Sequence, residues 1–190
     1  MKTLCIVTRC HPNRPNMLKA CEESLKNQTV DDYTHLLIKD EKGYGVVGAN
    51  KALHTAEPIN GQYVMVLDDD DFLIDPHFVE EFKKLVSEDK PDVVVFKGII
   101  SPHGFFPSDC LWEKPPVKGR IGSFCFAVSR EFWVKYIEFW KPSDGCTVMA
   151  DFTFIQECYK NAEKVVWMDR VVSSTQKGAS GGKDECQKSQ

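Results

Sequence analysis

The chain of 190 residues has 42% hydrophobic and 27% charged residues and a formal net charge of −4, values that are ordinary for a single soluble globular domain. This weakly acidic balance argues against a nucleic-acid-binding protein, because such proteins usually present a basic face. No apolar run reaches the roughly 20 residues needed to span a bilayer, and residues 1–8 lack a signal-peptide pattern, so the sequence predicts a cytoplasmic protein without a transmembrane segment.

Predicted strands and helices alternate along the first hundred residues. Short apolar, β-prone runs predict the strands, and apolar positions at helical spacing predict the helices between them. Because the strand runs are apolar on both faces, we expect a buried, mainly parallel sheet in a Rossmann-like three-layer α/β/α fold. The predicted elements are strands at 3–8, 34–39, 63–67 and 92–96, and helices at 15–26, at 46–56, and from Pro76 to about 87 with Asp75 as N-cap.

The second half of the sequence has a less regular pattern. Residues 101–118 are rich in Pro, Gly and aromatic residues and predict a long loop, as do residues 141–150. Between and after these loops we expect a strand at 122–128, a helix capped by Ser129, a helix at 151–161 and a strand at 164–168. Residues 177–190 are almost free of apolar side chains and predict a flexible tail, so the folded domain is expected to cover residues 1–176.

Eight cysteines are scattered along the chain with no C-x-x-C pair. This spacing argues against a zinc site. Several of the cysteines lie within apolar-periodic segments, where free thiols pack as small hydrophobic groups. We therefore expect reduced cysteines rather than a disulfide framework.

Polar residues follow three of the predicted strands at the point where each strand ends. Thr8 and Arg9 come at the end of the first strand, Asp40 follows the second, and the run 68–71, four aspartates, follows the third. In an open α/β sheet, ligands bind beyond the carboxyl ends of the parallel strands. We therefore expect these side chains to meet at one edge of the sheet.

Four consecutive aspartates directly after a buried strand repel one another, and a bound cation would relieve that repulsion. In an extended segment residues i and i+2 point the same way, so Asp68 and Asp70 are expected on one side and Asp69 and Asp71 on the other. Oxygen ligands suit Mg²⁺ and Mn²⁺, and one or two carboxylates plus substrate phosphates are a common way to hold Mg²⁺. A solvated acidic turn is the alternative, whereas the spacing does not fit a calcium-binding EF-hand loop.

Three segments together resemble the family 2 glycosyltransferases of the GT-A fold. They are NRPNMLKACEESLKNQT at 13–29, the strand ending in Asp40, and GQYVMVLDDDDFLIDP at 61–76. The resemblance covers residues 3–100 clearly and 120–175 loosely. It implies a nucleotide-binding half at 1–100 and an acceptor-side half at 101–176.

The resemblance also implies an activity. The chain would be a metal-dependent, inverting enzyme that uses Mn²⁺ or Mg²⁺ and transfers a sugar from a nucleotide-diphosphate sugar, with a UDP-sugar as the expected donor. The acceptor would be a hydroxyl of a glycan, of a lipid-linked molecule or of another compound.

The same resemblance assigns roles to residues that match the family's motifs. Asp40 matches the acid that contacts the donor nucleobase, and Thr8 lies in the loop that lines the same pocket. Asp70 matches the metal ligand of the D-x-D region. Its neighbours Asp68 and Asp69 match positions that touch the ribose or the sugar.

Further matched positions depart in part from the family's pattern. Asn50 matches an Asn on the helix after the Gly-rich loop, but the Arg that often precedes it is Ala49 here. Asp151 matches one acid of a pair at the start of a late helix and is the candidate general base, although the usual first acid is Ala150. A helix N-cap is the alternative role for Asp151. Lys177, in the polar tail, is a candidate to close over the donor diphosphate.

Several functions remain open at the level of the sequence. A nucleotidyltransferase also combines an α/β sheet with an acid-bound metal, but it would usually have a Gly-rich loop after the first strand, where this chain has RCHPNR. A non-catalytic nucleotide-sugar-binding module and an inactive subunit that needs a partner are equally compatible with the pattern. Detection of donor hydrolysis or transfer would separate an enzyme from a binding module.

Overall fold

The structure is a computed structural model that describes residues 1–39, 45–55, 59–140 and 150–176. Two residues predicted to contact the donor, Asp40 and Lys177, lie outside the described residues, as do the predicted flexible tail and most of the predicted loop at 141–150. Within the described ranges, no helix is long and apolar enough to cross a membrane. The six cysteines in these ranges are free thiols.

Eight strands and five α-helices make up the regular part of the described chain. The strands are β1 (Lys2–Cys10), β2 (Tyr33–Lys39), β3 (Gly61–Val66), β4 (Asp71–Leu73), β5 (Val93–Ile100), β6 (Gly104–Phe106), β7 (Phe126–Ser129) and β8 (Val165–Thr175). The helices are α1 (Pro15–Lys26), α2 (Gly45–Thr55), α3 (Phe78–Asp89), α4 (Arg130–Tyr136) and α5 (Ala150–Asn161). Short 3₁₀ turns lie at Asp109–Leu111, Ser123–Cys125 and Ile137–Trp140.

The strands form one sheet in the order β2-β1-β3-β7-β5-β8-β4, and β6 pairs with β5 beside this path. β1 is parallel to β2 and β3, and β5 is parallel to β8. β7 runs antiparallel to both β3 and β5, so β3 and β5 point the same way. Five of the eight strands therefore share one direction, which confirms the predicted α/β fold with a mainly parallel sheet.

The central strands carry the core. Side chains at 4–7 in β1, 64–66 in β3 and 93–96 in β5 are at most 1% exposed, as expected for strands covered on both faces. Helix α1 has Pro15 in its first turn and buries Cys21 and Leu25, which matches the helical spacing in the sequence. Each fully buried aliphatic or aromatic side chain contributes about 1.5–3 kcal/mol through the hydrophobic effect.

The start of α3 differs from the prediction. The helix begins at Phe78, and its N-cap is His77 rather than Asp75. The Asp75 carboxylate instead accepts hydrogen bonds from the His77 backbone N–H at 3.0 Å and from Arg170 Nε at 2.8 Å. A tertiary contact to β8 thus holds Asp75, and the helix starts after it.

The predicted strand at 122–128 is also corrected. Residues Ser123–Cys125 form a 3₁₀ turn, and the strand occupies Phe126–Ser129. The Phe124 ring lies against Gly98 of β5, where a Cβ atom would approach Phe124 Cε2 to 2.2 Å. The turn therefore lets an aromatic ring lie flat on the backbone of a neighbouring strand. The predicted cap at Ser129 is confirmed, because its Oγ accepts a hydrogen bond from the Phe132 N–H at 3.3 Å.

Two further differences lie in the second half. The predicted loop at 101–118 contains the short strand β6 and a 3₁₀ turn. β8 continues to Thr175 rather than ending at Met168, because its last residues pair with the three-residue strand β4. β4 itself was not predicted, since three residues carry too short a pattern to recognise.

Candidate functional site

The ends of β1 and β3 lie side by side at one edge of the sheet. Their pairing continues beyond the regular ladder, because Leu67 N–H donates to the Val7 carbonyl at 3.0 Å and Asp69 N–H to the Arg9 carbonyl at 3.3 Å. Arg9 and the aspartate run therefore meet, as the strand-end argument predicts. β2 ends at Lys39, which pairs with Cys10 at the same edge.

The four aspartates at 68–71, called the acidic turn below, do not form an extended segment. Asp71 N–H donates to the Asp68 carbonyl at 3.0 Å, which closes a β-turn. The predicted pairing of alternate residues is therefore wrong. The turn brings one carboxylate oxygen from each of Asp68, Asp70 and Asp71 within 4.8 Å of one another.

Asp69 points into the protein and is only 2% exposed. Its Oδ2 accepts a hydrogen bond from the His11 backbone N–H at 2.6 Å, and its Oδ1 lies 3.5 Å from Arg14 Nη1. This carboxylate ties the loop after β1 to the acidic turn. Its predicted contact with the donor stays a prediction.

Arg9 is a site residue that the sequence reasoning placed at the edge but assigned no role. Its Nε donates to Asp68 Oδ1 at 2.6 Å and its Nη2 to Asp68 Oδ2 at 2.5 Å, a two-pronged ion pair. The available signal was a basic residue at the end of a buried strand, directly opposite an acidic run. A partner 59 positions away along the chain is not visible in a local pattern.

A second cation, Arg14, lies 3.1 Å from Asp70 through its Nη1. Gln176, at the end of β8, supports the same turn: its backbone N–H donates to the Asp70 carbonyl at 2.8 Å, and its Nε2 donates to the Asp69 carbonyl at 3.1 Å. The acidic turn is thus held by groups from both ends of the chain. Neither contact has a sequence-local signature.

Burial and mutual repulsion disfavour the charged forms of two of the carboxylates. Desolvation and the nearby Asp68 raise the pKa of Asp70 to about 6. The pKa of Asp71 is also raised well above its ordinary value, by burial and then by Asp70 and Asp68. Carboxylate oxygens are the ligands that Mg²⁺ and Mn²⁺ prefer, and a divalent cation would relieve both effects, so these residues fit such an ion.

Asn50 lies behind Arg9 and is 1% exposed. Its Oδ1 accepts hydrogen bonds from Arg9 Nη1 at 2.5 Å and from Trp140 Nε1 at 3.1 Å. Its Nδ2 has no hydrogen-bond partner in the described part of the chain. An unpaired buried amide donor costs about 1–3 kcal/mol, so Asn50 has one donor available next to the site.

Thr8 is fully buried inside β1. Its Oγ1 lies 2.8 Å from His35 Nε2 of β2 and 3.9 Å from Cys21 Sγ of α1. The hydroxyl is therefore used in packing between β1, β2 and α1. Its predicted place in the nucleobase pocket stays a prediction.

Asp151 is the second residue of α5, so it lies within the first helical turn and is not the N-cap. Its Oδ1 accepts a hydrogen bond from the Phe152 N–H at 2.7 Å. Burial raises the pKa of Asp151 to about 6, the Arg9 charge opposes that rise, and Asp68 adds to it. The side chain therefore feels the charges of the acidic site although it comes from the other half of the chain.

No family model and no curated protein sequence matches the chain. Solved structures do share its fold. Staphylococcus aureus TarS, residues 1–349, superposes with a TM-score of 0.68 at 14% identity over 92% of this chain and 60% of that one. TarS in complex with UDP-GlcNAc gives a TM-score of 0.65 at 14% identity, over 92% and 58%.

A glycosyltransferase involved in glycosylation of the major capsid of PBCV-1 gives a TM-score of 0.58 at 8% identity, over 97% of this chain and 98% of that one. At these identities the likeness shows the fold, and it confirms the predicted GT-A type of α/β fold. The chain spans about 60% of the length of the TarS 1–349 structure.

Proposed function

We propose that the chain is a metal-dependent, inverting glycosyltransferase that moves a sugar from a UDP-sugar to an acceptor hydroxyl. The observation that carries the proposal is the set of three carboxylate oxygens, from Asp68, Asp70 and Asp71, within 4.8 Å of one another at the carboxyl edge of the sheet. The fold around them is shared with a protein solved in complex with UDP-GlcNAc. Because the chain is shorter than TarS 1–349, the acceptor, whether a glycan, a lipid-linked molecule or another hydroxyl compound, belongs to the proposal.

Asp70 and Asp71 are the residues we propose to hold Mn²⁺ or Mg²⁺. Such an ion, when bound, would neutralise the charge of the departing nucleoside diphosphate. The raised pKa of Asp70, about 6, supports this role, because carboxylates crowded in a partly buried turn gain most from a cation. Asp68 and Asp69 are proposed to face the ribose and the sugar.

The nucleotide would be bound by groups around the end of β1 and β2. We assign the nucleobase to Asp40 and the neighbourhood of Thr8, and the diphosphate to Asn50 and Lys177. The free amide donor of Asn50 supports the assignment of Asn50, since a phosphate or sugar oxygen would supply the missing acceptor.

Asp151 is the proposed general base, which takes the proton of the acceptor hydroxyl as its oxygen attacks the anomeric carbon. A pKa of about 6 makes Asp151 a stronger base than an ordinary aspartate while leaving it ionised at neutral pH, which is the compromise that general-base catalysis favours. Positioning of the acceptor would supply much of the remaining rate enhancement.

A non-catalytic nucleotide-sugar-binding module is the second candidate. It is favoured by one observation: both carboxylate oxygens of Asp68 are occupied by Arg9, which leaves fewer groups for a metal and a donor. A module of this kind would bind a UDP-sugar without releasing UDP.

The proposal is tested by incubating the protein with a panel of UDP-sugars and Mn²⁺ and measuring UDP release. We expect Asp70→Ala to abolish release while the circular dichroism spectrum is retained. Asp31→Ala is the matched control, because the Asp31 side chain is 99% exposed and its loss should leave release unchanged. Metal-dependent release that persists in Asp70→Ala would reject the assignment, and binding without release in the wild type would favour the binding module.

A further inference from the structure

The Arg9 guanidinium is fixed on the acidic turn rather than free in solvent. It grips both oxygens of Asp68, at 2.6 Å through Nε and 2.5 Å through Nη2. The Arg9 side chain is only 14% exposed. Its backbone is held as well, because the Arg9 carbonyl accepts a hydrogen bond from the Asp69 N–H. A planar guanidinium held this way on a carboxylate forms one of the stronger ion pairs found in proteins.

Arg9 is braced from behind by two residues of other elements. Its third nitrogen, Nη1, donates to Asn50 Oδ1 at 2.5 Å. Its Cζ lies 5.7 Å from the centre of the Trp140 ring, within the range of a cation–π interaction. These contacts leave the guanidinium little freedom to move away from Asp68.

Asp68 therefore belongs to two sets of contacts at once. One of its oxygens is within 4.8 Å of oxygens from Asp70 and Asp71, and both of its oxygens accept hydrogen bonds from Arg9. A divalent cation that used Asp68 would have to share it with a fixed positive charge. Like charges at such distances repel strongly in a partly buried site.

We propose that Arg9 competes with the divalent cation for Asp68 and thereby weakens metal binding at the acidic turn. In this arrangement Arg9 is a positioning residue: it holds Asp68 in place when the metal is absent and opposes tight metal binding when it is present. The inference rests on the proposed function, because it takes the acidic turn to be a metal site.

The test measures Mn²⁺ affinity directly, by electron paramagnetic resonance of free Mn²⁺ and by calorimetry, without substrate. Arg9→Gln removes the charge and the fork, and we expect it to bind Mn²⁺ roughly tenfold more tightly than the wild type. Arg9→Lys keeps the charge but cannot grip both oxygens at once, so its affinity should fall between the two. Lys164→Gln is the control, because it changes the net charge equally at a remote ion pair with Asp89 and should leave affinity unchanged.

A second comparison separates competition for Asp68 from a general effect of charge. In an Asp68→Asn background the contested carboxylate is gone, so the gain from Arg9→Gln should disappear. A gain of the same size in that background overturns the proposed competition, as does unchanged or weaker Mn²⁺ binding in a folded Arg9→Gln protein. If Arg9→Gln does not fold, Arg9→Lys decides, and an affinity equal to that of the wild type overturns the inference.

The result also separates this inference from the proposed function. If the wild type binds Mn²⁺ and turns over a UDP-sugar but the Arg9 variants bind the ion no more tightly, only the inference fails. If neither the wild type nor any variant binds Mn²⁺, the metal site of the proposed function fails and the inference fails with it.

Discussion

The two halves of the chain contribute to the site in different ways. The first half supplies charged groups directly from the ends of parallel strands, with Arg9 after β1 and the acidic turn after β3. The second half supplies Trp140 from a 3₁₀ turn and Asp151 from the start of a helix. Topology alone therefore brings the first set together, whereas packing between elements brings in the second. We expect the first set to govern donor and metal binding, and the second to govern transfer and the rigidity of the site.

The largest expected effect comes from Asp151, the charged group of the second half. Asp151→Asn should lower the rate of sugar transfer by about 10²–10⁴-fold, the usual contribution of a general base. UDP binding should change little, because the Asn side chain can still accept the hydrogen bond from Phe152. Transfer kinetics and UDP affinity, measured side by side, check both parts, with Asp169→Asn as an exposed acidic control.

The pH profile gives the same assignment an independent check. Because the pKa of Asp151 is raised to about 6, the wild-type kcat/KM should fall as the pH drops through 6 and Asp151 becomes protonated. The residual activity of Asp151→Asn should lose that inflection. If the variant transfers normally or keeps the inflection, the base is another residue, and the division of labour between the halves is wrong.

A smaller effect, on stability rather than chemistry, is expected at Trp140. This side chain is fully buried, lies 4.9 Å from Phe154 between ring centres, and donates to Asn50. Trp140→Ala should lower the free energy of unfolding by about 3–5 kcal/mol, as for other buried aromatic residues. Urea unfolding measures this loss.

Trp140→Phe sharpens the test, because it keeps most of the ring contact and removes the hydrogen bond to Asn50. We expect it to cost about 1 kcal/mol. Val134→Ala, at a position in α4 that is 68% exposed, should change stability by less than about 0.5 kcal/mol. Equal losses for Trp140→Ala and Val134→Ala would contradict the role of Trp140 as a packing element behind Arg9.

The smallest expected effect is at Ser123, where the second half touches the acidic turn through a weak contact. Ser123 Oγ lies 3.4 Å from Asp68 Oδ2, a long distance for a hydroxyl donor. Ser123→Ala should therefore cost less than about 1 kcal/mol and leave transfer nearly unchanged. Ser173→Ala is the contrast, because Ser173 Oγ donates to the Phe124 carbonyl at 2.8 Å in a fully buried place. A larger loss at Ser123 than at Ser173 would show that Asp68 depends on more than Arg9.

Much of the fold was visible in the sequence because its signals are local. Helix α1 begins at Pro15 and ends at Lys26 as its apolar spacing predicts, and the buried strands carry apolar runs that mark a parallel sheet. The meeting of Arg9 with the acidic turn followed from strand direction alone. These features need no knowledge of distant contacts.

The remaining features depend on contacts between distant parts of the chain. The turn at 68–71 closes where β4 joins β8, whose paired residue Thr175 lies over a hundred positions beyond Asp71. Asp75 is drawn from its expected capping role by Arg170 of β8. The pairing of Arg9 with Asp68 and the brace from Trp140 are likewise tertiary, so the local pattern of strands, caps and charges does not contain them.

The position of Trp140 has a practical consequence. Its indole shares one Asn50 oxygen with Arg9 and lies under the guanidinium, so a displacement of that charge alters the electric field across the ring. Indole emission wavelength depends on the local field, which makes Trp140 a built-in optical reporter. Titration of the unlabelled protein, followed through its own fluorescence and compared with Trp140→Phe, would reveal movement at the site without any added dye.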